Sequence, residues 1–438
     1  MKNFKILAGA ALWVLALFLT LAPLAARAAE AVPDGPEGPE TVRRLAKSGD
    51  ALAQARLGLM YLRGALLPQD SAKAAQWFRK AADSGLPTAM LALGHLFRDG
   101  NGVAKDPRQA TSWFKKAALA GELEGAFELG LAYEKGLGVP ADREAALSWY
   151  ESAALAGSDQ AMFRLGTLYF QGQIVRKDLA EAARWFGLAA ERGNAQAQCD
   201  LGGLFALGLG VSQNTREARR LLGLASQAGE PRAMYNLGRM IESGQGSAPS
   251  PREAASLYRQ AAELGHAEAA FSLGAMLLEG RGIPADGRAA ALWLRRAASL
   301  GHAEAAYHYG TMLCAAGPDG GGQAGQKEQK DQKSQPGDGS GLKWMRRSAE
   351  AGYGPAALFL ARSYQEGLCG PLDRILAYYW AELAVQAGEL KAAETRDALA
   401  RSMPPPYLAK ARAMLKTAGT ARGTPGGTRE AGPTRGGE

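Results

Sequence analysis

A period of 36 residues governs most of this chain. The dipeptide Leu-Gly recurs in steps of 36, and Tyr309-Gly310 continues the series. The Leu-Gly pairs begin at residues 57, 93, 129, 165, 201, 237 and 273. A Trp or Leu follows each pair in step, and a glycine closes each unit, from Gly85 to Gly388. A fixed period of this length is the signature of a repeat architecture. We count nine repeats over residues 50–388, the eighth of which, residues 302–352, is lengthened to 51 residues.

Each repeat is predicted to form two helices. In the second repeat Ala89 and Leu93 follow helical spacing, and Gly100 can end the first helix with a positive φ. Asp106 is suited to cap the second helix because its carboxylate can accept from free backbone N–H groups, and Pro107 suits the first helical position. The same capping position holds Asp70, Asp142, Asp178, Asn214, Ser250, Asp286 and Asp373.

One such helix pair cannot bury its own apolar stripe, whereas stacked pairs can. The sequence therefore predicts an all-α fold, an α/α superhelical solenoid of about nine 36-residue helix-turn-helix repeats. Small residues on the second helices, such as Ala117 and Ala118, let neighbouring helices approach. The Trp of each second helix is expected to fill the space between adjacent repeats.

These residues resemble the Sel1-like repeat, a relative of the tetratricopeptide repeat. The resemblance is carried by Ala89-x-x-x-Leu93-Gly94-x-x-Phe97-x-x-Gly100 and by Asp106-x-x-x-Ala110-x-x-Trp113-x-x-x-Ala117-Ala118-x-x-Gly121. It implies an α/α solenoid with a concave groove, and the role of a scaffold, adaptor or regulator, often in a bacterial envelope. Some secreted members of the family carry a cysteine pair in every repeat. This chain has only three cysteines and is not expected to belong to that branch.

The N-terminus has the pattern of an export signal. Lys2 and Lys5 precede an apolar run over residues 6–26, and Ala26-Arg27-Ala28 fits the small-x-small cleavage pattern. We expect a signal peptide over residues 1–28 and an exported bacterial protein, periplasmic or secreted. Cleavage would lower the formal charge from +8 to +5, because Lys2, Lys5 and Arg27 are removed. The alternative is an uncleaved inner-membrane anchor, since 21 apolar-rich residues are long enough to span a bilayer.

Departures from the repeat predict the remaining boundaries. Residues 29–49 are expected to be a flexible leader, and residues 389–417 two capping helices. The insertion at about 316–341 is rich in Gly, Gln and Lys and is expected to be disordered. It is either a tolerated expansion or a loop that binds a partner or a protease. The Gly-, Thr-, Pro- and Arg-rich tail, residues 418–438, is also expected to be disordered.

Catalytic signals are weak, so we expect no enzyme activity, no cofactor and no metal. The string Gly320-x-Gly322-x-x-Gly325 matches a dinucleotide fingerprint, but it follows no strand and opens no helix. His266 and His302 occupy the same repeat position and are interpreted as turn residues. The alternative function is hydrolysis of cell-wall material or β-lactams, as proposed for cysteine-rich members of the family. It would need a nucleophile and a base that converge, and the sequence offers no such set.

The three cysteines are interpreted separately. Cys199 replaces larger apolar residues of other repeats and is expected to be a small core residue. Cys314 and Cys369 lie near the ends of the first helices of neighbouring repeats. An oxidising compartment would allow them to pair, whereas a register difference of four residues argues against pairing.

The predicted binding surface is the face of the first helices where residue type varies between repeats. Framework positions recur because packing fixes them, so variable positions are either solvated or contact a ligand. By analogy with related repeats, first helices line the concave groove. The candidate partner-binding residues are Arg56, His95, Glu128, Arg164, Thr167, Asp200, Asn236, Arg239 and His308.

These positions predict a groove that binds a protein or peptide, or alternatively a glycan. The resemblance to the Sel1-like repeat implies a non-enzymatic scaffold in envelope regulation or secretion. Nucleic acid is not expected, because the aromatic residues sit at core positions. Membrane contact is expected only if the N-terminal segment is uncleaved.

Basic pairs follow the aromatic residues of the outer repeats, and the middle repeats lack them. The pairs are Arg79-Lys80, Lys115-Lys116, Arg295-Arg296 and Arg346-Arg347. Gly187-Leu188 and Gly223-Leu224 stand in their place in the middle. This predicts positive ends and a neutral middle, either as a solvated helix face or as a surface for acidic partners or lipid heads.

Overall fold

The computed structural model describes residues 38–246, 248–315 and 340–422. Within these ranges all regular secondary structure is helical, so the prediction of an all-α fold of tandem helix pairs, an α/α solenoid, is confirmed. No helix of the described residues is both long and apolar enough to cross a bilayer. The signal segment, most of the insertion and most of the tail lie outside these residues, so those predictions stay predictions.

The helices follow the repeats in strict alternation. The first helices are α2 (Ala51–Arg63), α4 (Pro87–Asp99), α6 (Leu123–Lys135), α8 (Asp159–Gln171), α10 (Ala195–Leu207), α12 (Pro231–Glu242), α14 (Ala267–Glu279), α16 (Ala303–Ala315) and α18 (Gly354–Glu366). The second helices are α3 (Ser71–Asp83), α5 (Pro107–Leu119), α7 (Arg143–Leu155), α9 (Leu179–Glu191), α11 (Thr215–Gln227), α13 (Pro251–Glu263), α15 (Gly287–Ser299), α17 (Ser340–Glu350) and α19 (Arg374–Gln386). Three further helices flank them: α1 (Pro39–Lys47), α20 (Leu390–Ser402) and α21 (Pro405–Arg422).

Local sequence sets where these helices begin and end. Asp106 accepts from the backbone N–H groups of Arg108 and Gln109, at 2.9 and 3.1 Å, and so satisfies donors that the first turn leaves free. Gly100 ends α4 in the left-handed region with φ 74°. The caps predicted at Asp70, Asp142, Asp178, Asn214, Asp286 and Asp373 are confirmed. Ser250 occupies the same position but makes no side-chain capping bond.

In most repeats the glycine of the Leu-Gly pair lies at a close approach between the two helices. Leu93 is fully buried, while Gly94 lies against the ring of Phe114 on the second helix. A Cβ atom built on Gly94 would stand 2.5 Å from that ring. The same contact joins Gly130 to Tyr150, Gly166 to Phe186 and Gly238 to Tyr258. The recurrent glycine, which has no side chain, therefore leaves the space that the aromatic ring of the second helix occupies.

In the second and third repeats the main core aromatic is the residue after the Trp. Phe114 and Tyr150 are almost fully buried, whereas Trp113 and Trp149 are only partly covered. Trp149 contacts two apolar clusters, one centred on α2–α5 and the other on α7–α10. The predicted role of the Trp as filler between adjacent repeats is thus met at Trp149.

The chain forms two compact units, residues 1–225 and 226–438. In the first, the apolar clusters run from repeat to repeat, and Tyr133 as well as Trp149 packs against both. In the second, one cluster covers α12–α16 and another covers α17–α21. Each unit is therefore stabilised by burial between neighbouring repeats, as expected for tandem helical repeats.

The flexible leader predicted for residues 29–49 is wrong for its last part. Residues 39–47 form α1, and Val42 and Ala46 are each 1% exposed against Ala53 and Leu57 of α2. The apolar spacing of Val42 and Ala46, four residues apart, suits one helical face that covers the first repeat. The sequence analysis missed this stripe because most prolines and glycines of residues 29–49, which precede Val42, made the whole segment resemble a flexible one.

At the other end, α20 and α21 follow the ninth repeat. Leu399, Met403 and Ala411 are buried in the same cluster as the core of α19, so both helices cover that repeat. Helix α21 begins at Pro405 and runs through Arg422, so the tail predicted from residue 418 begins too early.

Cys314 and Cys369 form a disulfide, with Cα atoms 5.2 Å apart. The register argument against pairing is wrong because Cys369 lies in the loop after α18 and not on the helix. That loop folds over the start of α17, where a Cβ built on Gly370 would stand 2.6 Å from Leu342. Cys314, at the end of α16, reaches the same place, since its Sγ would stand 2.6 Å from a Cβ built on Gly341. Cys199 is buried, as predicted.

Substitutions at two helical glycines test the close approach between the first and second helices of a repeat. We expect Gly94→Ala to lower the free energy of unfolding by about 1–3 kcal/mol, because its methyl group would overlap the Phe114 ring. Gly203 of α10 is the matched control, because no atom lies within 4 Å of a Cβ built there. Gly203→Ala should raise stability by about 0.5–1 kcal/mol through helix propensity. Urea unfolding followed by circular dichroism measures both, and equal effects of the two substitutions would contradict this packing.

Candidate functional site

The nine predicted partner-binding residues all lie on first helices, but they differ in exposure. In the first unit, Arg56, Arg164, Thr167 and Asp200 are half-buried, whereas His95 and Glu128 are buried, at 0% and 4% exposure. In the second unit, Asn236 and His308 are half-buried and Arg239 is exposed. The structure shows which of these side chains are held by neighbouring repeats, and their role in partner binding stays a prediction.

His95 and Glu128 belong to a charged cluster between α4 and α6. The Arg98 guanidinium donates to Glu128 Oε1 at 2.9 Å and to Asp99 Oδ1 at 2.9 Å. The His95 ring lies beside it, with Nδ1 3.8 Å from Glu128 Oε1 and Nε2 3.8 Å from Glu124 Oε1. Neither ring nitrogen has a hydrogen-bond partner. Sequence reasoning identified two members of this cluster and missed Arg98, Asp99 and Glu124.

Burial dominates the electrostatics of this cluster. It lowers the pKa of His95 to about 3, with Arg98 acting in the same direction and Asp99 against it. Burial also raises the pKa of Glu128, although the neighbouring Arg98 opposes that shift. The imidazole is therefore neutral at physiological pH, because a charged ring would be desolvated without a matching hydrogen bond.

His95, Glu124 and Glu128 also offer a metal-like set, since one ligand atom from each lies within 4.8 Å of the others. Imidazole and carboxylate ligands suit zinc and related divalent ions. However, the two ring nitrogens face different carboxylates, and Arg98 already donates to Glu128. A single ion would reach only one ring nitrogen, so the arrangement suits a packed charge cluster better than a metal centre.

Arg164 joins the next two repeats in the same way. Its Nε donates to Glu134 Oε2 of α6 at 3.1 Å, its Nη2 pairs with Glu134 Oε1, and the Tyr150 hydroxyl donates to Glu134 Oε2 at 2.7 Å. Glu134 and Arg164 stand at the repeat positions of Arg98 and Glu128 with the charges exchanged. In both pairs the sequence contains opposite charges 30 residues apart. An alignment of the repeats position by position does not reveal such pairs.

The second unit carries an aromatic row that sequence reasoning missed. Tyr235 stacks on His266 with ring centroids 4.9 Å apart, and Phe271 stacks on His302 at 4.4 Å. Phe271 also lies 5.8 Å from His308, one of the predicted residues. All four rings of these two stacked pairs are half-buried. The interpretation of His266 and His302 as turn residues is confirmed, since each caps a helix through Nδ1, at 3.2 and 3.1 Å.

Comparison with known proteins identifies the repeat. The model of the Sel1 repeat matches residues 51–86, 87–122, 123–158, 159–194, 195–230, 231–266, 267–302, 337–353 and 354–389. The chain belongs to the Sel1 repeat family. Sel1 repeats generally mediate protein–protein interactions, and Sel1 repeat proteins are typically scaffolds without enzyme activity.

Two solved structures illustrate the likeness. One is c5321, a protective antigen of uropathogenic Escherichia coli strains with the same repeat fold, which is 27% identical and has a TM-score of 0.55. The match covers 90% of this chain and 91% of that one. The other is a Sel1 repeat protein from Oxalobacter formigenes, 30% identical over 52% of this chain and 100% of that chain, with a TM-score of 0.48. Among curated proteins, no sequence matches the chain.

Buried His95 makes a testable contribution to acid sensitivity. Its pKa falls from its ordinary 6.5 to about 3 on folding, so below pH 6.5 the unfolded chain binds a proton that the folded chain rejects. Stability is therefore present above pH 6.5 and is lost, by about 1.4 kcal/mol per pH unit, as the pH falls towards 3. We expect His95→Leu, which installs the residue of the next repeat, to flatten urea-unfolding stability between pH 6.5 and 4.5. His308→Leu, at a half-exposed ring, is the control, and parallel pH profiles of wild type and His95→Leu would contradict the assignment.

Proposed function

We propose that this chain is an exported, non-enzymatic scaffold that binds a protein or peptide partner through its first-helix faces. The observation that supports it is the contrast between two sets of positions on the same helices. Leu93, Gly94 and their equivalents recur because packing fixes them, whereas the neighbouring positions carry a different side chain in almost every repeat. A face that varies on a fixed framework is how tandem repeats present a specific binding surface.

Two parts of this face suit a protein partner. In the first unit, Arg56 and Asp200 place charges of both signs on half-buried positions. In the second unit, Arg239 is exposed next to Tyr235, with its guanidinium 5.8 Å from the ring. Tyrosine and arginine dominate the binding energy of protein interfaces, because they combine a large apolar area with directed hydrogen bonds. A peptide therefore fits this face better than a glycan does.

The chemistry of the described residues favours binding over catalysis. His95, whose pKa is strongly shifted, is fully buried, so a substrate would not reach its ring. Cys314 is tied up in the disulfide with Cys369, and Cys199 is buried in the core. A hydrolase needs an accessible nucleophile beside a base, and none of these groups offers one.

Two independent features support export. The first is the signal-like pattern of residues 1–28, with Lys2, Lys5 and the Ala26-Arg27-Ala28 site. The second is the disulfide between Cys314 and Cys369, a bond that persists in oxidising compartments such as the bacterial periplasm and is rare in the cytosol. We further propose a role in envelope regulation or secretion, which that location allows.

Export and disulfide formation can be measured on the same sample. We expect the chain isolated from an envelope fraction to begin near residue 29, by intact mass. Thiol labelling after denaturation should modify Cys199 alone until a reductant releases Cys314 and Cys369. A mass that retains residues 1–28 would favour the anchored alternative, and three reactive thiols before reduction would contradict export to an oxidising compartment.

Charge reversal on the first helices tests the binding face. We expect capture of a partner from envelope extract, identified by mass spectrometry and then purified, to weaken at least tenfold in Asp200→Arg combined with Arg239→Glu. Both positions reverse charge without breaking the Arg98–Glu128 or Arg164–Glu134 pairs. The matched control reverses exposed second-helix charges of both signs, Glu144→Arg in the first unit with Arg295→Glu in the second, so both double variants keep the net charge. Equal affinity of the first-helix variant and wild type for the purified partner would overturn the proposal.

A further inference from the structure

A cavity of about 520 Å³ opens in the first unit, between the second helices α9 and α11. Its walls include Gly187 of α9 and Leu221 of α11, and Phe205 of α10 lies in its floor. Glu191 and Glu217 stand among the lining residues. This volume lies in the range of small-molecule sites, which are mostly apolar with a few placed polar groups.

Comparison within the chain shows why the cavity is there. Three repeats earlier, Arg79, Phe97 and Trp113 occupy the positions of Gly187, Phe205 and Leu221. The Arg79 guanidinium lies 5.6 Å from the centroid of the Phe97 ring. Trp113 packs against the apolar cluster of α2–α5, and Lys116 Nζ lies 3.8 Å from its ring centroid. In the first two repeats, therefore, an indole and a cation lie at the positions that line the cavity.

At the cavity both groups are missing. Leu221 is smaller than the Trp it replaces, and Gly187 offers no side chain to cover Phe205, which is half-buried. A Cβ built on Gly187 would meet no atom within 4 Å, so the position is open. The space thus corresponds to the positions that the Trp113 ring and the Arg79 side chain occupy in the first two repeats.

The charges at the rim favour a positive occupant. Glu217 is paired with Arg220 at 2.6 Å, so these two charges offset each other. Glu191, exposed at the end of α9, adds a further carboxylate to the lining. A cation over an aromatic face is attracted by the electron density of the ring, most strongly where water is excluded. Phe205 and Glu191 therefore provide a ring face and a counter-charge for one ammonium group.

We propose that the α9–α11 cavity binds an indole-sized aromatic group that carries a positive charge, the chemistry of an arylalkyl ammonium. This site is distinct from the proposed first-helix face. On α10 the cavity uses Gln198, Leu201 and Phe205, whereas the partner-binding prediction on that helix is Asp200.

Titration calorimetry of the full chain with tryptamine tests this site. We expect saturable binding to one site, weakened at least tenfold by Gly187→Arg and by Leu221→Trp, which restore the residues of the earlier repeats. Gly223→Arg is the matched control, because Gly223 has the repeat position of Gly187 but does not line the cavity. A Cβ on either glycine meets no atom within 4 Å, so the arginine variants are not expected to disturb folding.

Two further ligands separate the contributions of ring and charge. Ethylamine carries the charge without the ring, and 3-methylindole carries the ring without the charge. We expect both to bind at least tenfold more weakly than tryptamine. Absence of saturable tryptamine binding to wild type, equal binding by Gly187→Arg and Gly223→Arg, or equal affinity for tryptamine and either fragment would overturn the proposal.

Discussion

The structure depends on a close contact that recurs in most repeats, between a glycine of the first helix and an aromatic or Leu side chain of the second. At Gly94 the approach is so close that a single methyl group would overlap Phe114. This contact fixes the separation of the two helices and therefore the surface that the pair presents to its neighbour. Because a lone pair leaves its stripe exposed, each repeat is stable only against the next. The same requirement explains α1, whose Val42 and Ala46 cover the first repeat.

Fixing the framework in this way leaves other positions free to vary, but not all of that freedom is available for binding. Glu128 and Arg164 vary between repeats as binding residues would, yet each pairs with a residue of the preceding repeat. Such pairs orient neighbours, and their partly buried geometry makes them stronger than surface ion pairs. Variation between repeats therefore has two physical sources, contact with a partner and contact with the neighbouring repeat. Only exposure and pairing in the folded chain separate them.

The difference between contacts within a few residues and contacts between repeats also explains which features the sequence could predict. The period, the Asp106 type of cap and the Gly100 type of helix end depend on neighbours within a few residues, and the sequence predicted them correctly. The disulfide between Cys314 and Cys369 depends on where a loop crosses the preceding repeat, so helix register misled the prediction. Of the charge cluster around His95, the sequence indicated His95 and Glu128 but not Arg98, Asp99 or Glu124, because only the folded chain shows that α4 and α6 bring these side chains together. Contacts between repeats carry no local sequence signature.

In a repeat protein each repeat can be compared with the others, so a side chain that one repeat lacks can be recognised. A fold that occurs only once in a chain offers no such comparison. Replacement of a Trp by Leu221 removes a large side chain that would otherwise cover part of this space, and a larger neighbour could compensate for that loss. Here the neighbouring position is Gly187, which removes still more volume. Both replacements, Leu for Trp and Gly for Arg, enlarge the same space, and neither closes it. Because the space is open to solvent beside Glu191, a ligand can enter it and cover the half-buried ring of Phe205, as Arg79 approaches Phe97 in the first two repeats.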